Sequence, residues 1–309
     1  MRKSLSRIDK AHFFYLFVIF ALFCIFCALA YLNVTVKKQI DSINLLPAAF
    51  SYQPQNYPKI TNTYFPYITA QGMVVIDDKS KVTLLSKNDN IIFPPASTTK
   101  IMTALVGLDY YNLNEMLTIK NANVEGSFMG FFNGEQFTFE DLLYAMLLPS
   151  SNEAAVAIAQ NYPGGEEAFV QAMNEKAKSL GLKKSHFADP VGLEDHADYA
   201  TPKDLALLSA EAMKNPVFAK IVSTKTHQIK STKGTIYPLN NLNILLDYPG
   251  VNGIKTGHTE GAGDVLVTSR KINGGDLIFA IMRSEDRFLD TQILLDYLNN
   301  NVTYQTIHP

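Results

Sequence analysis

Ser97 and Lys100 stand three residues apart in Pro94-Pro95-Ala96-Ser97-Thr98-Thr99-Lys100-Ile101-Met102-Thr103-Ala104-Leu105. The proline pair forces an extended approach. The run from Ile101 to Leu108 that follows is apolar on almost every face, as in a helix buried inside a domain. Ser97 then opens that helix, and the i, i+3 spacing sets its hydroxyl and the Lys100 amine on one face. Burial and the positive end of the helix dipole both disfavour an ammonium there, so part of Lys100 is expected as neutral amine. A neutral amine beside a serine is a general base beside a nucleophile. The same residues admit a plainer structure, with Ser97 capping a core helix and Lys100 snorkelling to solvent.

Two further polar sets fall at expected element junctions. Thr138-Phe139-Glu140-Asp141 is a capping-box signature for a helix running to about Leu148, where Pro149 stops it. Ser150-Ser151-Asn152 therefore sits on the bend before a helix over 153–160. Ser150-x-Asn152 by itself says almost nothing, since Ser42-x-Asn44 repeats the pattern. Lys255-Thr256-Gly257 closes a predicted strand, where the glycine lets the backbone lie close to a ligand and Lys255 and Thr256 can hold an anion. A strand end with a turn glycine accounts for the same three residues.

The elements that must position these groups follow from periodicity. Residues 73–76 and 82–85 read as a hairpin around Asp77-Asp78-Lys79-Ser80-Lys81. Glycines 126, 130 and 134 among Phe128, Phe131 and Phe132 suggest a loop lying over something. Helices are expected over 166–180, closed by Gly181, and over 202–213, opened by Thr201 with Asp204 at its third position. Strands are expected at 226–229, 236–239, 251–256, 265–269 and 277–282, the last two flanking Asn273-Gly274-Gly275. A final helix runs from about Arg287 to Leu298. Strands at both ends with helices between them give an α/β domain of the α+β kind, with an antiparallel sheet.

The 309 residues, 47% hydrophobic, suffice for one large domain. His12 to Leu32 is a run of 21 residues without a charge, about 30 Å as a helix and so matched to a bilayer core. Arg2, Lys3, Arg7 and Lys10 precede it, which predicts a cytoplasmic N-terminus with everything after Leu32 outside. Ala28-Leu29-Ala30 reads alternatively as a signal-peptidase site that would release the chain after Ala30; the length of the apolar run favours an uncleaved anchor. The expected organisation is a cytoplasmic end and membrane anchor over 1–32, a Pro-containing tether over 33–68 and a catalytic domain over 69–309. Cys24 and Cys27 both lie in the anchor, so the exported part has neither disulfide nor reactive thiol, and lipidation is not expected.

Outside the anchor the charge balance is net −5, which argues against a nucleic-acid partner. The six histidines form no H-E-x-x-H, and His186, Asp189 and His196 lack convincing zinc spacing, so no metal or other cofactor is expected. His186 and His196 are instead expected to hydrogen-bond a loop around Pro190-Val191-Gly192-Leu193.

Order and context give the three polar sets more weight together than apart. S-x-x-K opening a buried helix, S-x-N on a bend and K-T-G on a strand, with the surrounding text at 94–105, 142–155 and 253–263, closely resemble the D-alanyl-D-alanine carboxypeptidases, the low-molecular-mass penicillin-binding proteins. The resemblance covers about residues 70 to 300 and implies the penicillin-binding-protein and serine β-lactamase-like fold. It implies peptidoglycan stem peptides as substrates and β-lactams as covalent inhibitors. Ser97 would be the acylated nucleophile and Lys100 its base, with Ser150, Asn152 and Lys255 completing the proton network. Thr256 would help bind the substrate's terminal carboxylate beside Gly257. The backbone amides of Ser97 and His258 would form the oxyanion hole. Arg287 resembles a family arginine near that carboxylate, although a helix-face arginine in a surface ion pair explains it equally well.

Departures from the family pattern are Ser151 for a frequent glycine, Asp189 for the usual asparagine of Asn-Pro-x-Gly-Leu, and Asp264 for a frequent aromatic. Asp264 leaves the rim of the oxyanion strand open to question. The chain stops at Pro309 without the β-rich C-terminal domain and amphipathic anchor of many relatives, and the N-terminal helix would replace that anchor. Rival functions are a serine β-lactamase, a D,D-endopeptidase and a non-catalytic cell-wall module. Glu166 lies in the helical region but lacks the context of a deacylating glutamate, and the intact Ser97, Lys100 and Lys255 speak against a degenerate site.

Overall fold

The computed structural model of the chain describes residues 5–42, 55–62, 64–193, 196–272 and 274–307. The chain divides after Gln53 into two compact units. The first holds one helix, α1 (Leu5–Ser42), whose segment His12–Lys38 is long and apolar enough to cross a membrane. Phe13, Phe17, Phe20 and Phe23 along it are exposed, as suits a helix solvated by lipid rather than water. The helix outruns the uncharged stretch and occupies the first part of the expected tether. No proline or glycine occurs between Leu32 and Ser42 to stop it. Pro47 and Pro54 of that tether lie outside the described residues.

The second unit begins with β1 (Gln55–Ile60), the hairpin β2 (Gly72–Asp77) and β3 (Thr83–Lys87), and α2 (Lys100–Tyr110). A short ribbon of β4 (Met116–Thr118) and β5 (Gln136–Thr138) leads into the helical block α3 (Phe139–Leu147), α4 (Asn152–Asn161), α5 (Gly165–Ser179), α6 (Pro202–Ala212) and α7 (Pro216–Val222). The hairpin β6 (Thr226–Lys230) and β7 (Ile236–Asn240) precedes β8 (Val251–Thr259), β9 (Gly263–Ile272) and β10 (Gly275–Ser284), and α8 (Arg287–Asn301) runs directly into β11 (Val302–Ile307).

The main sheet has the order β3-β2-β10-β9-β8, antiparallel throughout. Both faces are buried, which explains why its strands read as nearly continuous apolar runs. Side chains alternate between two cores. Val74, Ile76, Val265, Val267, Ile278, Ala280 and Met282 face the core that includes α2 to α7, while Met73, Val75, Leu266, Leu277, Phe279 and Ile281 face Leu294, Leu295 and Leu298 of α8. The catalytic-domain fold expected from sequence is thus a sheet between one helix and a helical cluster.

Helix starts follow their caps. Thr138 accepts from Asp141 N at 3.1 Å, and Thr201 from Asp204 N at 3.0 Å. Two expectations need correction. Residues 55–60, read as tether, form a strand paired with β11 from Gln55↔Ile307 to Ile60↔Val302. Pro58 is tolerated there because a two-stranded ribbon leaves one edge of each strand free. Strands β6 and β7 pair only with each other and stand outside the main sheet.

Candidate active site

Ser97 lies in a tight 3-10 turn, Ala96–Thr99, rather than in the α-helix it precedes. Thr98 Oγ1 closes the turn on Pro95 O at 2.5 Å. Lys100 opens α2 with its side chain fully buried, so the snorkelling alternative does not hold. Its Nζ donates to Ser97 Oγ at 2.9 Å and to Val191 O at 3.0 Å. Burial pushes the Lys100 pKa down to about 7, against a smaller upward pull from the Asp189 carboxylate.

Asp189, a departure from the expected asparagine, organises the loop that supplies Val191 O. Its Oδ1 accepts from Val191 N at 2.6 Å and Gly192 N at 2.5 Å, and its Oδ2 from Leu193 N at 3.0 Å. Gly192 has φ +83, and a Cβ there would lie 2.1 Å from Ala96 O, so only glycine lets this loop seat on the Ser97 turn. Thr103 Oγ1 donates to Pro190 O at 2.6 Å and ties α2 to the same loop. His186 does not bond the 190–193 segment as expected. It bridges Tyr199 through paired backbone hydrogen bonds and contacts Ala197 O through Nδ1 at 3.1 Å, closing the base of the loop; His196 is exposed.

On the bend between α3 and α4, Ser150 is buried with φ +69, and its Oγ has no hydrogen-bond partner among the described residues. Such a conformation in a non-glycine residue is costly and clusters at functional sites. Ser151 caps α4 by accepting from Ala154 N at 3.2 Å, a role the glycine of the family pattern could not fill. Asn152 Nδ2 donates to Glu125 O at 2.6 Å, and its buried Oδ1 has no partner among the described residues. Gly126 lies against both Asn152 Nδ2 and the Leu193 side chain, so this corner adjoins the loop that holds Lys100.

The third wall is β8. Lys255 is 1% exposed, and its Nζ donates to Thr256 O at 2.9 Å. Burial, then the Lys100 and Arg287 cations, hold its pKa well below the ordinary lysine range. Thr256 is buried. At Gly257 a Cβ would come within 3.1 Å of Ser97 N, so the strand lies directly on the Ser97 amide. Arg287 Nη1 donates to Gly257 O at 2.8 Å and to Asp264 Oδ1 at 3.0 Å. His258, exposed, pairs its Nδ1 with the same Asp264 oxygen at 2.8 Å. Arg287 therefore makes an ion pair that is largely buried against the K-T-G strand rather than on the surface.

A family model described as D-alanyl-D-alanine carboxypeptidase matches residues 59–286. The chain belongs to this family. It is 32% identical over 251 residues to the D-alanyl-D-alanine carboxypeptidase DacF of Bacillus subtilis, covering 78% of this chain and 64% of that relative's length. It is 36% identical over 214 residues to a D-alanyl-D-alanine endopeptidase of Pseudomonas aeruginosa, covering 67% of this chain and 68% of the relative. The crystal structure of the Streptomyces K15 DD-transpeptidase superposes with a TM-score of 0.71 at 32% identity, covering 76% of this chain and 98% of that one.

Within this carboxypeptidase-family fold, three residues that matter to the site's shape carry no motif. Glu153, 1% exposed, accepts from Met129 N at 2.5 Å, Gly130 N at 3.2 Å and Phe131 N at 3.0 Å, strapping the glycine-containing loop to the start of α4. Asp189 and Asp264 are the others. The signal was there for Asp264 and Asp189 as departures from pattern. For Glu153 the only sequence cue was an acid in the first turn of a helix, which the helix dipole alone would explain.

Proposed function

We propose that this chain is a serine D,D-carboxypeptidase that removes the terminal D-alanine from peptidoglycan stem pentapeptides through an acyl-enzyme on Ser97. The observation that carries the reading is the buried amine of Lys100, with a pKa near 7, 2.9 Å from Ser97 Oγ. A neutral Lys100 takes the hydroxyl proton as Ser97 Oγ attacks the carbonyl carbon of the penultimate D-alanine. The backbone amides of Ser97 and His258 receive the developing oxyanion, an arrangement supported by the packing of Gly257 on Ser97 N. Ser150, Lys255 and Asn152 form the proton and hydrogen-bond network that protonates the departing D-alanine amine. The partnerless Ser150 Oγ and Asn152 Oδ1 are groups a bound peptide would satisfy, since buried polar atoms left unpaired cost about 1–3 kcal/mol each. Thr256 and Arg287 receive the substrate carboxylate. Water activated by Lys100 then hydrolyses the ester and restores the free hydroxyl.

β-Lactams enter the same reading as slow substrates, because their leaving amine stays tethered in the acyl group and obstructs the water. A β-lactamase is disfavoured by the position of Glu166. It opens α5 beyond the far end of α4, where it accepts from Gln160 at 3.3 Å, whereas Asn152 opens the near end, about 15 Å away along the helix. A D,D-endopeptidase activity on cross-links uses the same chemistry, and a relative carries that name. Mass spectrometry of muropeptides incubated with the protein tests the reading. Pentapeptides losing one alanine each support it, whereas cleavage confined to cross-linked dimers replaces it.

The apolar α1 would anchor the protein with its catalytic unit, which starts at strand β1 rather than at residue 69, outside the membrane. The long apolar α1 with basic residues before it supports this. Protease added to intact spheroplasts should degrade the region after Leu32, and its protection would reverse the topology.

A further inference from the structure

We propose that Asp264 is a built-in counter-ion for Arg287, so that this site distinguishes a free C-terminal carboxylate from an uncharged amide only weakly. The inference rests on the D,D-peptidase reading of the cleft and names a substrate class it admits beside free acids: peptides whose residue after the scissile bond carries no negative charge.

The geometry is that of a charge-paired arginine, with Nη1 engaged and Nε buried without a partner among the described residues. Nη1 of Arg287 is shared between Gly257 O and Asp264 Oδ1, and Asp264 Oδ2 faces the Arg287 backbone amide at 3.4 Å. The pair is held in register by the sheet, because Asp264 stands opposite His258 on β8 and Ser284 on β10. Their side chains are only 17% and 23% exposed, so solvent screens the pairing less than it would at the surface. His258 closes the third side of the Asp264 carboxylate. The other cation of the K-T-G strand, Lys255, is buried, and its charged form is disfavoured. An incoming carboxylate therefore meets one guanidinium whose charge is already matched, and must compete with Asp264 for it. An amide loses little by comparison, since Thr256 and the strand backbone offer hydrogen bonds to either end group.

The test compares kcat/KM for diacetyl-L-lysyl-D-alanyl-D-alanine and for its C-terminal amide, reading D-alanine and D-alaninamide release by mass spectrometry. Asp264→Asn frees the guanidinium and should raise the acid-to-amide ratio by roughly tenfold or more, the scale of one charge-assisted hydrogen bond. Asp264→Glu keeps the charge and should hold the ratio near that of the unmodified protein. In an Arg287→Ala background Asp264→Asn should leave the ratio unchanged, which a merely structural role for Asp264 would not produce. Acylation of Ser97 by benzylpenicillin against its methyl ester gives the same comparison without peptide hydrolysis. A ratio unmoved by Asp264→Asn in both substrate pairs overturns the counter-ion assignment. Release of neither product by the unmodified protein, with the penicillin ratio shifting as expected, upholds the assignment and overturns the carboxypeptidase reading beneath it.

Discussion

On the proposed mechanism, the buried Lys100 would make acylation of Ser97 dependent on pH in a way an ordinary lysine would not. With its pKa lowered from 10.5 to about 7, the amine is ~10% neutral at pH 6, ~50% at pH 7 and ~90% at pH 8. At pH 7 that is roughly a thousandfold more neutral amine than an unperturbed lysine offers. The second-order rate constant for acylation by penicillin should therefore rise about tenfold between pH 5 and 6 and level off above pH 8. The inhibitor's own carboxylate is ionised throughout this range. Asp189→Asn removes the carboxylate that raises the Lys100 pKa, so the limb should move to lower pH. Folding stability should follow the same group. Between about 7 and 10.5 the unfolded chain binds a proton at Lys100 that the folded chain does not, so this residue's contribution makes stability rise with pH. Its full penalty, on the order of 5 kcal/mol, applies below the folded pKa. Stopped-flow labelling across pH 5 to 9 measures the limb. An ascending limb near pH 10, no limb at all, or a shift to higher pH in Asp189→Asn would refute the reasoning.

Two substitutions test the supports of the site. Glu153→Ala removes the acceptor for three loop amides and should destabilise the protein by about 3 kcal/mol or more in urea unfolding, with acylation slowed through Asn152; an unchanged unfolding midpoint would show that the strap does not hold the loop. Gly192→Ala places a Cβ 2.1 Å from Ala96 O at φ +83, so the loop must withdraw and carry Val191 O away from Lys100. Acylation should fall about tenfold or more, and a rate within twofold of the unmodified protein would contradict that role for the loop.

Much of the fold was legible because local chemistry marks its boundaries. Thr138, Ser151 and Thr201 start helices through side-chain acceptors, and the sheet strands are apolar on both faces. What escaped depends on pairing across the chain. The polar, proline-bearing 55–60 becomes a strand only because β11 returns beside it some 250 residues later. The seven-residue α7 is too short to show a helical period. At the site the motifs stood out by residue type, but the order β3-β2-β10-β9-β8 that lays Gly257 on Ser97 N is invisible in sequence. Asp189 stood out only as a departure from the family pattern, and what it and Glu153 do was hidden for a related reason. Their partners are backbone amides, which every residue possesses, so residue type alone does not announce that work.

The central claim, that Ser97 is the nucleophile activated by Lys100, is tested most directly by intact-mass measurement of the full chain after exposure to benzylpenicillin. The account predicts a single penicilloyl adduct that peptide mapping places on Ser97, and none on a Ser97→Ala variant whose thermal unfolding matches the unmodified protein. An adduct on the folded Ser97→Ala variant, or one mapped to another residue, would contradict it.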